Sequence, residues 1–234
     1  MKIALVGYGK MGKAIETIVE AQGDQIVARL EEKPTKKNIN EADVAIEFST
    51  PQTAFDNVVA CLELGIPVVC GTTAWLDRLP EVEKICSHVN GAFIYASNYS
   101  LGVNLFFEIN KRIAQLMKKY PDYTISLEEI HHTEKKDAPS GTAITLAEEI
   151  IPIYHMDGWK LSSDVSSSNQ LAIEAKREKD VPGTHTVLYN SEVDQIEIKH
   201  IAHSRKGFAS GALVAAKWLV GKKGIFTMKD VLGL

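Results

Sequence analysis

The sequence predicts an α/β protein: a doubly wound parallel sheet into which a second, β-rich domain is inserted. Three observations carry this. Short, nearly continuous apolar runs alternate with helical patterns through the first hundred residues, the texture changes to period two after residue 101, and near residue 206 it turns helical again. Strands that are apolar throughout belong to a sheet covered by helices on both faces. Strands that alternate belong to a sheet with one face wet or used for contacts.

Ile3 to Val6 is apolar and stops at Gly7, after which Met11, Ala14, Ile15, Ile18 and Val19 recur at helical spacing, so this segment reads strand, turn, helix. Strands follow at Gln25 to Leu30, Val44 to Phe48, Pro67 to Cys70 and Ala92 to Tyr95, with a helix from Thr53 to Leu64. Leu105, Phe106, Ile109, Ile113, Leu116 and Met117 predict a helix over 102–120, which Pro121 ends. Alternation then marks Tyr123 to Leu127, Leu171 to Ala175, Thr186 to Tyr189 and Ile196 to Ile201, with a serine-rich loop at Ser162, Ser163, Ser166, Ser167 and Ser168. A last long helix runs from Phe208 to Val220 with Ala212, Ala215, Ala216 and Leu219 on its packing face, and Thr227 with Asp230 makes a capping box. The predicted division is 1–100 plus 206–234 for one domain and 101–205 for the other.

The 234 residues suffice for a sizeable core, and 45% hydrophobic with 24% charged residues is a globular balance. Lys+Arg 26 against Asp+Glu 30 gives a net charge of -4 with no dense basic run, which argues against nucleic acid as a partner. Cys61, Cys70 and Cys86 form no CxxC and read as small buried residues in a reducing compartment. No stretch approaches the roughly 18 apolar residues of a membrane span. A cytoplasmic protein without a membrane partner is expected.

Gly7-Tyr8-Gly9-Lys10-Met11-Gly12 is a GxGxxG between the first strand and the first helix. The first glycine allows a tight turn, the second lets backbone approach a pyrophosphate, and the third lets helix and strand pack closely. The helix N-terminus offers free N–H groups and a positive dipole end to phosphates. The next strand ends at Glu31, placed to bind a ribose 2′-hydroxyl. Glu31 and Glu32 repel a 2′-phosphate while Lys10, Lys13 and Lys33 attract one, so NADH is favoured with NADPH tolerated. Phe48-Ser49-Thr50-Pro51 and Gly71-Thr72-Thr73 fall at strand ends where such sheets bind ligands.

Glu128 to Ala143, reading EEIHHTEKKDAPSGTA, is the richest stretch in the chain. Ser140-Gly141-Thr142 supplies hydroxyls and the N-terminus of a helix that Ser140 caps, a setting for a carboxylate or phosphate. Adjacent His131 and His132 point to opposite sides of extended backbone and make a poor metal pair, so no metal is expected. Acid–base work suits them better, with Lys135 fixing an anion or giving a proton. His185, His200 and His203 lie in or beside alternating strands and read as structural, as Arg177 and Arg205 read as surface residues.

These residues, together with Ala96-Ser97-Asn98-Tyr99-Ser100, Gly102-Val103-Asn104, and Ser204-Arg205 with Phe208, Gly211 and Ala212, resemble the dihydrodipicolinate reductase family over essentially the whole chain. The resemblance implies a Rossmann domain completed by the C-terminal segment, an inserted mixed α+β domain that binds substrate and forms a homotetramer, and reduction of a cyclic dicarboxylate with NADH or NADPH in lysine and diaminopimelate biosynthesis. It implies nucleotide contacts from Gly7 to Gly12, Glu31, Gly71 to Thr73 and Ala96 to Tyr99. His131 would be the acid–base residue, Lys135 the proton donor, and His132, Ser140, Gly141 and Thr142 the substrate holders. The chain departs from the family's usual pattern at Glu32, where NADPH-preferring members carry arginine, at Ile130 for alanine, and at Tyr99 for phenylalanine. A different dehydrogenase or a non-catalytic nucleotide sensor would be expected to lack part of the His131 to Thr142 run.

Overall fold

The computed structural model describes every residue except Asn40, Val165, Ser166, Ser168 and Arg205. Two of the serines in the predicted serine-rich loop, and the arginine of the Ser204-Arg205 pair, therefore lie outside the described residues. The chain divides into two compact units, Met1–Leu101 with Lys206–Leu234, and Gly102–Arg205.

In chain order the first unit holds β1 (Lys2–Val6), α1 (Lys10–Ala21), β2 (Gln25–Leu30), β3 (Val44–Glu47), α2 (Pro51–Glu63), β4 (Val68–Cys70), α3 (Leu79–His88) and β5 (Ala92–Tyr95). The second holds most of α4 (Leu101–Met117), then β6 (Thr124–His131), α5 (Gly141–Tyr154), β7 (Gly158–Leu161), β8 (Gln170–Arg177), β9 (Thr184–Asn190) and β10 (Gln195–Ile201). The chain then returns to the first unit with α6 (Lys206–Leu219), β11 (Gly224–Phe226) and α7 (Met228–Leu232).

All six strands of the first sheet are parallel, in the order β11-β5-β4-β3-β1-β2. Because the strands are buried on both faces, successive residues feed opposite cores. Ile3 and Leu5 meet Ile15, Val19, Ala212 and Leu219 of α1 and α6, while Ala4 and Val6 meet Val58, Leu62 and Val82 of α2 and α3. The chain runs outward from β1 to β2, then crosses back to β3. The direction of winding reverses between β1 and β3, and ligands of such sheets bind beyond the carboxyl ends of the strands at that point.

The second sheet is mixed. Its order is β10-β9-β6-β8-β7, with β6, β8 and β7 parallel and β9 antiparallel to both β6 and β10. Phe106, Ala114 and Met117 of α4 and Leu146, Ala147 and Ile150 of α5 pack on Leu127, Leu171, Ile173 and Val187. β6 runs four residues past the predicted Leu127. Residues two apart share a face of a strand, so Glu129 and His131 continue the buried row begun by Leu127, and both are buried.

α3, β7 and β11 were not legible in the pattern. β7 and β11 are only four and three residues long, and only Val82 and Cys86 of α3 are buried. The predicted capping box is present: the Thr227 N–H and hydroxyl both donate to Asp230 Oδ2, at 2.7 and 2.8 Å.

Candidate active site

The glycine turn sits at the reversal point. Gly7 adopts φ +91° and a Cβ there would lie 2.1 Å from the Phe48 carbonyl oxygen, so β1 and β3 approach too closely for any side chain. A Cβ on Gly12 would lie 2.5 Å from the Gly7 carbonyl oxygen, which ties the start of α1 to the turn. Gly9 differs: among the described residues no atom comes within 4 Å of the place its Cβ would take. It caps α1, whose first turn carries no carboxylate, and it lines a cavity of about 370 Å³ together with Tyr8, Glu31, Glu32, Ser49 and Asn57. Open space before an uncompensated helix N-terminus is what a pyrophosphate requires, so the residues present fit a dinucleotide.

The other predicted nucleotide residues fall into two groups. Glu31 stands exposed at the cavity, Lys10 is exposed at the start of α1, and Thr73 and Ser97 are exposed in their loops. Tyr8 and Met11 serve structure as well: the Tyr8 hydroxyl donates to Glu16, which also pairs with Arg29, and Met11 packs on the core. Gly71 makes room for the Phe48 ring, 2.1 Å from its virtual Cβ, and the buried Thr72 hydroxyl oxygen accepts from Ser49 N–H at 2.8 Å. Ala96 packs against the core, and Asn98 Oδ1 accepts from Ser100 N–H at 2.9 Å. The Tyr99 side chain is no nucleotide contact. It is 1% exposed, and its hydroxyl donates to the carbonyls of Cys70 (2.7 Å) and Ile94 (3.3 Å), holding the ends of β4 and β5 together.

Glu47 was not singled out in the sequence. It is fully buried at the end of β3 and accepts from Ser49 N–H at 3.1 Å, from the Ser49 hydroxyl and from the Cys70 thiol at 3.0 Å. A glutamate closing the apolar run Val44-Ala45-Ile46 was the available signal. Burial, and then the Glu47 charge, push the Cys70 thiol well up, so it serves as a donor.

In the second unit, β6 meets β8 and β9 so that Arg177 stands opposite His131 and His185 opposite Glu129. His131 Nδ1 is hydrogen-bonded to Glu129 Oε2, and Arg177 Nη1 donates to Glu129 Oε1 at 3.0 Å. Burial by itself would raise the Glu129 carboxyl, but the hydrogen bond from His131 and the Arg177 guanidinium outweigh it and hold the group below its ordinary value. A Cβ on Gly183 would lie 3.0 Å from His131 Nε2, so glycine keeps that edge of the ring clear. Lys135 Nζ donates to both oxygens of Asp137 at 2.8 and 2.7 Å, and this ammonium holds the Asp137 carboxyl below the usual range.

His132 lines a cavity of about 410 Å³ with Glu134, Lys179 and Asp180, and its buried Nδ1 has no hydrogen-bond partner among the described residues. The Ser140 hydroxyl is not free for a substrate. It is 2% exposed, accepts from Ala143 N–H at 3.2 Å as the cap of α5, and shares a 2.9 Å hydrogen bond with His185 Nε2. Gly141, just inside the helix, has open space before it, and Thr142 is half-buried beside it. The sequence alone makes His185 a structural residue. It makes such a bond, but within the site, 5.0 Å centroid to centroid from His131.

Glu129, His131 and His185 offer one donor atom each within 4.8 Å of one another, a spacing that could hold a metal. Yet Glu129 is bound by Arg177, His131 by Glu129 and His185 by Ser140, an arrangement suited to holding protons.

Burial, then the nearby His131 charge, push the His185 imidazole down to about 3. The unfolded histidine, near pKa 6.5, takes up a proton that the folded one refuses. The contribution of His185 to stability therefore falls as pH drops from 6.5 toward 3 and is constant above that window. His185→Asn keeps a group that can bond Ser140 but cannot titrate; denaturant melts between pH 7 and 4 are expected to show a shallower acid decline than the unsubstituted protein. An unchanged slope would show that His185 does not contribute.

The fold and these groups define a class, the dinucleotide-dependent oxidoreductases built on a Rossmann-type sheet with a second mixed sheet. In fold alone, a dihydrodipicolinate reductase from Paenisporosarcina sp. TG-14, solved with dipicolinate bound, superposes with a TM-score of 0.77 at 22% identity, covering 97% of each chain. A probable dehydrogenase from Thermotoga maritima gives 0.57 at 10% identity, covering 99% of this chain and 92% of that one. Residues 1–99 match the family described as dihydrodipicolinate reductase, N-terminus, and residues 102–232 the one described as dihydrodipicolinate reductase, C-terminus. The 4-hydroxy-tetrahydrodipicolinate reductase of Christiangramia forsetii is 52% identical over 99% of this chain and 98% of its own, and that of Methanocaldococcus jannaschii 35% identical over 98% and 81%. The chain belongs to the dihydrodipicolinate reductase family, and it is an NAD(P)H-dependent oxidoreductase. Among the described residues no helix is long and apolar enough to cross a membrane.

Proposed function

We infer that this chain reduces 4-hydroxy-tetrahydrodipicolinate to tetrahydrodipicolinate, a step of lysine and diaminopimelate biosynthesis. The observation that carries the reading is the whole-length likeness to the Christiangramia forsetii reductase. When bound, the reduced nicotinamide supplies the hydride. Gly7 to Gly12 and Glu31 hold the nucleotide, and His132, Gly141 and Thr142 hold the substrate's carboxylates. Lys135 gives the proton that must accompany the hydride, and His131 serves as the acid–base group beside it. The inserted unit binds substrate and assembles the chain as a homotetramer, working in the cytoplasm without a metal, nucleic acid or membrane. The test is loss of reduced-nicotinamide absorbance with substrate generated in situ and NADH or NADPH in parallel. No turnover with either, beside a working control enzyme, would overturn the reading.

NADH is the favoured cofactor because Glu31 and Glu32 both line the cavity beside the glycine turn and oppose a 2′-phosphate. Glu32 Oε1 accepts from Asn38 Nδ2 at 3.1 Å, which fixes its position there. Glu32→Arg is expected to raise the NADPH to NADH ratio of kcat/KM by about tenfold, one charge-assisted contact. An unchanged ratio would place residue 32 away from the phosphate.

A further inference from the structure

We propose that Glu129 and Arg177 are positioning residues that set the His131 tautomer and lock it to the loop bearing Lys135. The inference rests on the reading of His131 as the acid–base group, and deepens it.

The geometry begins with what an ionised carboxylate can do. It only accepts hydrogen bonds, so the Nδ1 that Glu129 Oε2 meets must carry a proton, and in the neutral ring Nε2 is then the basic nitrogen. That nitrogen is the one whose edge Gly183 leaves clear. The second carboxylate oxygen is engaged by Arg177, so Glu129, fully buried, is neither protonated nor free to turn.

Arg177 also reaches the loop. Its Nη2 donates to the Asp137 carbonyl at 2.7 Å, its Nε to the Lys135 carbonyl at 3.4 Å, and Nη1 to the Lys176 carbonyl at 2.6 Å. Asp137 in turn holds the Lys135 ammonium. One planar guanidinium thus spans the carboxylate behind the base and the backbone carbonyls of the proton donor itself and of the residue two further on, and a lysine, with its single nitrogen, cannot. Among the described residues, the charged and titratable groups set against His131 are Glu129 on its own strand, Arg177 opposite it on β8, His185 on β9 and Glu178, whose N–H donates to the His131 carbonyl, while Arg177 links the set to Lys135 and Asp137 on the loop.

The experiment compares the wild type, H131A, E129Q, E129D and R177K for steady-state kinetics, melting temperature and histidine ¹⁵N spectra at pH 8. A glutamine at 129 both donates and accepts, so the tautomer is no longer dictated. E129Q is expected to lose about 10- to 100-fold in kcat, to keep nucleotide KM within about twofold, and to show a mixed His131 tautomer. E129D should recover the wild-type tautomer and part of the rate. R177K is expected to lose about tenfold in kcat at unchanged nucleotide KM, and it carries the test if E129Q does not fold. H131A separates the two levels: full activity in H131A would end the acid–base reading. An inactive H131A beside an E129Q or R177K of wild-type kcat and tautomer would overturn the positioning proposal alone.

Discussion

His131→Ala is expected to lower kcat by about 10²- to 10⁴-fold, the usual contribution of a positioned acid or base, while nucleotide affinity stays within about twofold. The separation follows from where the groups sit. His131 closes β6 in the second unit, bonded to Glu129 and packed edge to face on His185, and among the described residues neither of these partners lines the cavity at the glycine turn. Glu31, on that cavity, is expected to behave in the opposite sense: Glu31→Ala should weaken nucleotide binding by about tenfold, one charge-assisted hydrogen bond, and leave kcat at saturating nucleotide near the wild-type value. Steady-state kinetics with nucleotide and substrate varied in turn check both. If the two substitutions changed nucleotide binding equally, the assignment of roles would fail. The alanine also leaves a buried carboxylate half satisfied, since Glu129 keeps Arg177 but loses the His131 bond. Some loss of melting temperature in His131→Ala should accompany the kinetic loss, because one oxygen of a buried carboxylate is then left without its hydrogen bond while Arg177 holds the other.

The sequence was legible wherever one residue's environment follows from its neighbours in the chain. The glycine turn could be read because a strand stops at Gly7 and a helical stripe starts at Met11, and the fold adds the reason: an oxygen of Phe48 stands 2.1 Å from where a Cβ on Gly7 would be. The capping roles of Ser140 and Thr227 are local in the same sense. What could not be read was made by strand register. Arg177 lies 46 residues beyond His131 and looks like a surface arginine until β8 pairs with β6 and sets it opposite His131. His185 becomes part of the site only because β9 sets it opposite Glu129. Glu129 itself, one of a pair of adjacent glutamates, shows its burial only once β6 is known to run to His131 and its partners are known. Period-two patterning treats a polar residue as outward-facing, and it fails where a buried polar residue has its charge matched from another strand.

Two glycines in the first unit test which features of that fold serve packing and which serve the ligand. Gly211 lies in α6, and a Cβ there would stand 1.7 Å from the Tyr99 carbonyl oxygen. The helix cannot retreat, because Ala209, Ala212, Leu213, Ala215, Ala216 and Leu219 are all fully buried. Nor can Tyr99 shift freely, with its hydroxyl bridging Cys70 and Ile94. Gly211→Ala is therefore expected to cost about 3 kcal/mol or more, the upper end for overpacking a filled core, and to lower the melting temperature by roughly 6–12 °C for a protein of this size. Gly9→Ala meets open space and should cost under about 1 kcal/mol, the difference between glycine and alanine as a helix cap. Its methyl group would instead occupy the place where a pyrophosphate approaches the start of α1. Melting both variants with and without saturating NADH distinguishes the two roles. A ligand at 100 times its Kd stabilises the folded state by about 2.7 kcal/mol, so the wild type and Gly211→Ala should both gain melting temperature on adding nucleotide, the second from a lower start. Gly9→Ala should melt close to the wild type without nucleotide and gain little with it. A Gly9→Ala variant that gained as much as the wild type would show that the phosphates do not approach the backbone at this turn. A Gly211→Ala variant melting like the wild type would show that α6 and the Tyr99 loop can part by enough to admit a Cβ that would otherwise lie 1.7 Å from the Tyr99 carbonyl oxygen.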